Sequence, residues 1–139
     1  MHHRSVSCGL LHTCVLLEGG SVKCFGSNHG QLGLGDLANR GDLPGTMGDA
    51  LPALSLGTGR TAASVMAGGW LQCMVLDRGD VKCCGSDNVN GYYGQLGYGD
   101  NITRGTAAKQ MGDALPSVDL GTGLVATAFN IGESRGTGR

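Results

Sequence analysis

Two pairs of cysteines are the residues best placed for chemistry in this chain of 139 residues. Cys14 and Cys24 flank a short apolar segment with a turn, and Cys73 and Cys83 flank a second segment of the same design. A hairpin of this length places its two end residues opposite each other, with Cβ atoms about 4.5–5.5 Å apart, and a disulfide needs about 3.5–4.5 Å. We interpret both pairs as candidate disulfides in an oxidising compartment and as packed thiols in the cytosol.

Zinc coordination is the alternative chemistry for these cysteines, and the spacing disfavours it. The chain has no Cys-x-x-Cys motif, and the adjacent Cys83 and Cys84 are poorly spaced as ligands. His12 precedes Cys14 by two residues, but the second segment has no histidine in this region. We interpret the remaining Cys8 and Cys84 as buried apolar side chains, and we predict no metal and no cofactor.

The three tyrosines form the candidate contact loop. Tyr92 and Tyr93 lie in a stretch that the second half of the chain has gained, and Tyr98 follows closely. Tyrosine is favoured at protein interfaces, so an exposed loop of this kind suits a protein contact. The alternative is local packing over the edge of the fold, and for Trp70 we expect core packing.

No group of residues forms a catalytic arrangement once the internal repeat is taken into account. Arg40-Gly-Asp42 spells an integrin-binding tripeptide, but its counterpart is Arg104-Gly-Thr106, so the repeat explains Arg-Gly without adhesion. Gly57-Thr-Gly59 lacks the Lys-Ser/Thr of a phosphate loop. We predict no catalytic residue, and we expect that the protein is not an enzyme.

A long internal repeat must position all of these residues. Met47–Gly59 returns as Met111–Gly123 with 10 of 13 residues identical, and the cysteine segments are repeated 59 residues apart. Later segments are repeated 64 residues apart, because five extra residues fall around Asn88–Tyr93. Repeats of this kind cannot bury their apolar faces alone, so neighbouring units must stack. We divide the chain into a first repeat (1–63), a second repeat (64–123), the start of a third (124–132) and a divergent tail (133–139).

Short apolar runs separated by glycine turns predict an all-β structure. The strands that we predict are Val6–Cys8, His12–Leu17, Ser21–Phe25, Ser64–Ala67, Gln72–Leu76, Asp80–Cys84 and Ala126–Asn130. Arg60–Val65 and Ala107–Met111 are each predicted to form at most a helical turn. Glycine supplies 27 residues, far above the usual share of about 7%, and its matching positions in the two repeats indicate turns.

Charge and hydropathy exclude several classes of partner. The formal net charge is −1, with lysine and arginine scattered, which argues against a nucleic-acid surface. No run of 18 apolar residues is present, so we predict no transmembrane helix. The start loosely resembles a signal peptide, but Val6–Cys14 aligns with Val65–Cys73, so we read it as repeat structure. We expect a cytoplasmic location by default, and secretion if the cysteine pairs are disulfides.

The repeat resembles the regulator of chromosome condensation family, whose members form seven-bladed β-propellers. The likeness covers roughly residues 5–132 and departs from the family in Cys84, where an aromatic is usual, and in Leu71-Gln72, where the first copy has His-Thr. The matching segments are Gly9-x-x-His-Thr-x-x-Leu16, Gly20-x-Val-x-x-x-Gly26-x-Asn28, Gly30-Gln-Leu-Gly-x-Gly35 and Gly94-Gln-Leu-Gly-x-Gly99.

The resemblance implies a partial β-propeller of two blades and the start of a third, with open edges. It implies a non-enzymatic protein–protein interaction module whose protein partner the sequence does not identify. Within the family, the alternatives are a guanine-nucleotide exchange factor for a small GTPase and a loop-mediated inhibitor resembling propeller-shaped β-lactamase inhibitors. Unpaired edge strands template association. We therefore expect a fragment of a longer propeller, and the alternative is self-association of several copies through the open blade edges.

Overall fold

The computed structural model describes residues 5–87, 91 and 93–132, and its regular structure is dominated by two antiparallel sheets of three strands each. The first sheet, here the first blade, contains β1 (Ser5–Cys8), β2 (His12–Leu16) and β3 (Val22–Gly26). The second blade contains β4 (Ala62–Gly68), β5 (Leu71–Leu76) and β6 (Val81–Gly85). Within these described residues, no helix is long and apolar enough to cross a membrane.

Short 3₁₀ turns follow the sheets at Gly48–Ala50, Ala108–Gln110 and Gly112–Ala114. The helical turn predicted within Ala107–Met111 is therefore present. The turn predicted at Arg60–Val65 is wrong, because this segment enters β4 and pairs with β5 instead. Its β-branched and small residues suit the ladder that the neighbouring apolar strand offers.

A shared apolar core packs the first blade against the second. Alternation along β2 and β3 buries one face of the first sheet, whereas β5 and β6 are buried on both faces. Between the inner strands, the Ser7 hydroxyl accepts the Ala67 backbone N–H at 2.9 Å. The buried residues of this core are Cys14, Leu16, Val22, Cys24, Leu32, Leu54, Leu56, Ala62, Val65, Ala67, Met74 and Leu76.

A second apolar cluster lies on the far side of the second blade. It is formed by Cys73, Val75, Val81, Cys83 and Leu96, with Val118, Ala126, Phe129 and Ile131 packed against them. Residues 124–132, here the third segment, therefore cover part of this blade as β4 covers the first. The Ala126 N–H donates to the Gly79 carbonyl at 2.8 Å, as the Ala62 N–H does to the Gly20 carbonyl at 2.8 Å.

The predicted strand at Ala126–Asn130 is wrong in its secondary structure. These residues take the position of an inner strand but lie outside the strands. β4 gains its ladder from β5, which follows two residues later. Within the described part of the chain no such hairpin follows the third segment, so its contacts with the second blade are mainly through side chains.

Candidate functional site

Each cysteine pair joins facing positions of a hairpin and lies at disulfide distance. The sulfur atoms of Cys14 and Cys24 are 2.19 Å apart and those of Cys73 and Cys83 are 2.04 Å apart. The first pair is fully buried between the blades, and the second faces the third segment. The pairs therefore occupy equivalent positions in the repeat but different surroundings.

Gln72 is a buried residue of this junction that the sequence reasoning did not identify as functional. Its Oε1 atom contacts the sulfur of Cys14 and lies 2.8 Å from that of Cys24, while Nε2 donates to the Cys84 sulfur at 3.3 Å. The replacement of Thr13 by Gln72 in the second copy was the available signal. Burial raises the pKa of the Cys84 thiol to about 12. Cys84 is buried as predicted, whereas Cys8 is exposed.

The repeated Gly-Gln-Leu-Gly block of the first copy is a contact between blades. The Gly35 N–H donates to the Gly105 carbonyl at 3.1 Å. A Cβ atom on Gly105 would lie 2.2 Å from the Gly30 carbonyl oxygen, so only glycine permits this approach. A Cβ atom on Gly33 would lie 3.0 Å from the Cys84 sulfur. We call this contact the glycine interlock.

Among the described residues, one half of this interlock is left unoccupied in each blade. Around Gly94 and Gly99, the counterparts of Gly30 and Gly35, no described residue lies in the space that a Cβ atom would enter. In the first blade, Phe25 and residues 39–42 line a shallow cleft of about 290 Å³ at the position where the second blade receives the interlock. Both halves are thus available to another blade of the same type.

A buried lysine ties the two repeats together. The Lys82 ammonium donates to the Leu56 carbonyl at 3.1 Å and to the Gly112 carbonyl at 2.9 Å. Burial lowers the pKa of Lys82, and the nearby positive charge of Arg60 lowers it further. Its counterpart Lys23 keeps one equivalent bond, to the Gly48 carbonyl at 3.2 Å, and is only half-buried.

An aspartate–arginine ion pair closes the same turn in both repeats. Asp36 and Arg40 meet at 2.8 Å, and so do Asp100 and Arg104. The hydrogen bond from Arg104 lowers the pKa of Asp100 to about 2, and the bond from Arg40 lowers that of Asp36. The guanidinium of the Arg-Gly-Asp tripeptide is therefore held inside its own loop.

The tyrosines of the candidate contact loop have different surroundings. Tyr92 lies outside the described residues, and Tyr93 is 55% exposed. The Tyr98 hydroxyl accepts the Cys83 N–H at 2.9 Å and donates to the Cys83 carbonyl at 3.0 Å, and Arg104 lies 4.2 Å from the centre of its ring. Burial raises the pKa of Tyr98 to about 12. The geometry of Tyr98 is that of a packed side chain that braces β6.

No residue in the described part of the chain covers the outer face of the first blade. Val6, Val15 and Lys23 form one row across its sheet, and Val6 is 65% exposed. The equivalent row of the second blade is buried against the first blade, at exposures of 4% for Val65, 0% for Met74 and 6% for Lys82. We call the row Val6–Val15–Lys23, with Leu17 and Phe25 beside it, the open face.

A cleft of about 490 Å³ lies at the opposite end of the molecule, beside the third segment. Its lining is mostly apolar and includes Leu71, Val81, Leu96, Val118 and Phe129. When the repeats are aligned, the cleft corresponds to the position of the second and third strands of a further blade. The open face and this cleft are therefore complementary halves of the same kind of interface.

Two stacked three-stranded blades joined by the glycine interlock define the fold as a partial β-propeller, as predicted. Residues 4–31 match the family model described as "Regulator of chromosome condensation (RCC1) repeat". This match covers one repeat, which contains all three strands of the first blade.

Solved structures with the same fold include human WBSCR16 and yeast RCC1. WBSCR16 is 24% identical with a TM-score of 0.56, over 74% of this chain and 23% of its own. Yeast RCC1 (Prp20) bound to Kap60 is 22% identical with a TM-score of 0.51, over 70% of this chain and 20% of its own. Prp20p of Saccharomyces cerevisiae, described with its binding properties to Gsp1p and histones, is 17% identical with a TM-score of 0.51, over 87% of this chain and 26% of its own.

A similar curated protein is the E3 ubiquitin-protein ligase MYCBP2 of Danio rerio. It is 44% identical over 68 residues, which is 45% of this chain and 1% of the relative. The chain thus spans a very small part of this relative and about a quarter or less of the solved structures.

Proposed function

We propose that this chain is a non-enzymatic protein–protein interaction module, built from two consecutive blades of an RCC1-type propeller and acting through its open face. The observation that carries this proposal is the row Val6–Val15–Lys23, whose counterparts in the second blade are buried. Covering such a face with another apolar surface stabilises the complex by about 25 cal/mol per Å² of apolar surface removed from water.

The partner that fits the open face best is a second copy of this chain, joined head to tail. Within one molecule, the junction between the blades already contains the required partner surface, namely the cysteine-bearing side of a hairpin together with the glycine interlock. The second blade offers the same surface at its far side, beside the cleft. The proposed contact is therefore continuous with an interface that the chain already forms.

The third segment gives this association a specific geometry. Residues 126–131 of the receiving copy and β1 of the incoming copy would occupy the same inner-strand position. We propose that β1 takes this position, paired with β2 of its own chain, and that residues 126–131 move aside. The row Val6–Val15–Lys23 then meets the receiving copy as one face.

The solved neighbours support a protein ligand rather than a small-molecule substrate. The structures of the yeast neighbour are described in complex with Kap60 and with binding to Gsp1p and histones. Those ligands are properties of that protein, and what passes to this chain is the expectation of a protein partner.

A binding experiment between copies tests the proposal. One copy is immobilised, the other is added in solution with reductant, and binding is followed by interferometry. We expect binding that Val15→Asp abolishes, because the new charge would be buried at the contact, and that the exposed control Lys109→Asp leaves intact. Absence of binding up to about 0.1 mM, a free energy of about 5.5 kcal/mol, would refute self-association.

A further inference from the structure

We propose that Asn101 is an acceptor for an N-linked glycan, which is added when the chain enters an oxidising secretory compartment. Asn101-Ile102-Thr103 has the Asn-x-Thr pattern that such a glycan requires, and no other asparagine of the sequence is followed two residues later by serine or threonine. A tripeptide of this kind also arises by chance, so the inference depends on where the structure places it. It concerns a surface turn of the second repeat and does not rest on the proposed self-association.

Thr103 has a structural role that the first repeat shares. Its hydroxyl accepts the Asp87 N–H at 3.3 Å, and in the first repeat the side-chain oxygen of Asn39 accepts the Asn28 N–H at 2.9 Å. Both bonds connect the turn to the segment that follows the third strand of its blade. The fold thus accounts for a polar residue at position 103, and this residue alone is no evidence for modification.

Asn101 has no such role. It is exposed in the turn that the Asp100–Arg104 ion pair closes, and its side chain makes no hydrogen bond within the described part of the chain. Asp100 instead accepts the Ile102 N–H at 3.0 Å, which holds the turn without using the Asn101 amide. The corresponding residue of the first repeat is Leu37. Neither the repeat nor the fold therefore requires asparagine at this position.

The cysteine pairs are the independent observation that points to the compartment. Cys14 faces Cys24 and Cys73 faces Cys83 in the register of their hairpins, and the structure joins each pair through its sulfur atoms. Disulfides persist in secreted proteins and in the lumen of the endoplasmic reticulum, and they are rare in the cytosol. N-linked glycans are attached in that same lumen. Both features therefore indicate one compartment.

The turn can carry a bulky glycan without disturbing a junction between blades. Leu37 follows the Gly30–Gly35 block that contacts the second blade, yet it is 61% exposed. Asn101 occupies the same place in the second repeat, two residues after Gly99. Ile102 beside it is 51% exposed, so the sugar can also cover an apolar side chain.

The reaction is the transfer of an oligosaccharide from a lipid diphosphate donor. A bond forms between Nδ2 of Asn101 and the anomeric carbon of the first sugar, while the bond from that carbon to the diphosphate oxygen breaks. The lipid diphosphate leaves with the bonding electron pair, and the amide nitrogen loses one proton to solvent. The transferase of the secretory compartment supplies the catalysis, and no atom is oxidised or reduced.

The test is secretion of the full chain from eukaryotic cells behind a cleavable signal peptide, followed by measurement of the intact mass. We expect a mass gain that peptide-N-glycosidase removes, with conversion of Asn101 to aspartate located by tandem mass spectrometry. Peptide mapping without reduction reports both cysteine pairs in the same product. A folded, secreted chain with both pairs oxidised and Asn101 unmodified would overturn the proposal, as would recovery of both pairs as free thiols.

The two repeats provide matched variants for this test. Thr103→Asn copies the first repeat and keeps an acceptor for the Asp87 N–H, yet it should abolish the mass gain, whereas Thr103→Ser should retain it. Leu37→Asn combined with Asn39→Thr moves the tripeptide into the first repeat and should add a second glycan. A mass gain that survives Thr103→Asn, or a transplanted tripeptide that stays unmodified, would contradict the assignment. If Thr103→Asn fails to fold, Asn101→Gln replaces only an exposed side chain and decides the outcome.

Discussion

Arg40 and Arg104 show how the repeat places one ion pair in two environments. Both guanidinium groups are mostly buried, and the carboxylates of Asp36 and Asp100 are 43% and 32% exposed. Exposed ion pairs contribute little to stability, so the pairs chiefly fix the shape of the turn. Arg104 adds a contact that Arg40 lacks, because its guanidinium also stacks on Tyr98.

Arg104→Lys should therefore destabilise the protein more than the matched change Arg40→Lys. Lysine loses the two-pronged geometry at both sites, but only the second also loses a planar stack on tyrosine. We expect a loss of about 1–2 kcal/mol for Arg104→Lys and about 0.5 kcal/mol for Arg40→Lys, measured by urea unfolding. Equal losses would show that the Tyr98 stack contributes nothing.

His12 should make the stability of the fold fall in mild acid. Burial lowers its pKa to about 4, from 6.5. Between pH 6.5 and 4, His12 is therefore protonated in the unfolded chain and neutral in the folded chain. Stability should decrease as the pH falls through this window, by as much as about 3 kcal/mol, and then level off for this group.

The matched variant for this effect is His12→Leu, because the second copy has Leu71 at the same position. Denaturant unfolding at steps between pH 7 and 4 should show a flatter profile for the variant than for the unaltered protein. If both profiles have the same slope, His12 is not the group that titrates.

The pairing of strands within each blade was largely predictable from the sequence, whereas the contacts between blades were not. The cysteine spacing and the glycine turn between them predict the two hairpins, because register follows from local turn geometry. The role of Gln72 depends on a neighbouring blade, and so does that of the glycine interlock. The sequence contains both segments, but periodicity does not indicate which of them meet.

The third segment shows the limit of repeat alignment. Phe129 aligns with Val65 and packs on the second blade in the corresponding way, so its partial burial followed from the repeat. The strand predicted at Ala126–Asn130 did not follow from the alignment, because a strand also needs a hydrogen-bonded backbone partner. Tyr98 shows the same limit: its place in the sequence indicated an exposed loop, yet its hydroxyl binds the β6 backbone.

Gly105→Ala tests the glycine interlock against a control that the repeat itself provides. Gly105 and its counterpart Gly41 both have positive φ, 103° and 95°, so alanine strains the backbone at both sites. A Cβ at residue 105 would lie 2.2 Å from the Gly30 carbonyl oxygen, whereas at residue 41 the nearest atom is the Met47 sulfur, 3.5 Å away.

We expect Gly41→Ala to cost about 1–2 kcal/mol of unfolding free energy through strain alone. Gly105→Ala should cost at least about 2 kcal/mol more, because it also forces the blades apart. Calorimetry of the two variants side by side measures the difference. Similar melting temperatures for both would mean that the interlock does not hold the blades together.

The whole molecule has two complementary ends. The open face at one end and the cleft at the other belong to the same type of junction, which the chain completes once between its own blades. A head-to-tail contact of this kind can repeat from copy to copy, so association either closes into a ring or continues as an open chain.

The native mass in solution, measured by light scattering in the presence of reductant, decides whether copies associate through the open face. We expect a mass above the 14.1 kDa of one chain that rises with concentration and returns to that of one chain in Val15→Asp. A mass of one chain at every concentration, with cooperative unfolding, would contradict it, since two blades would then be stable with both ends uncovered.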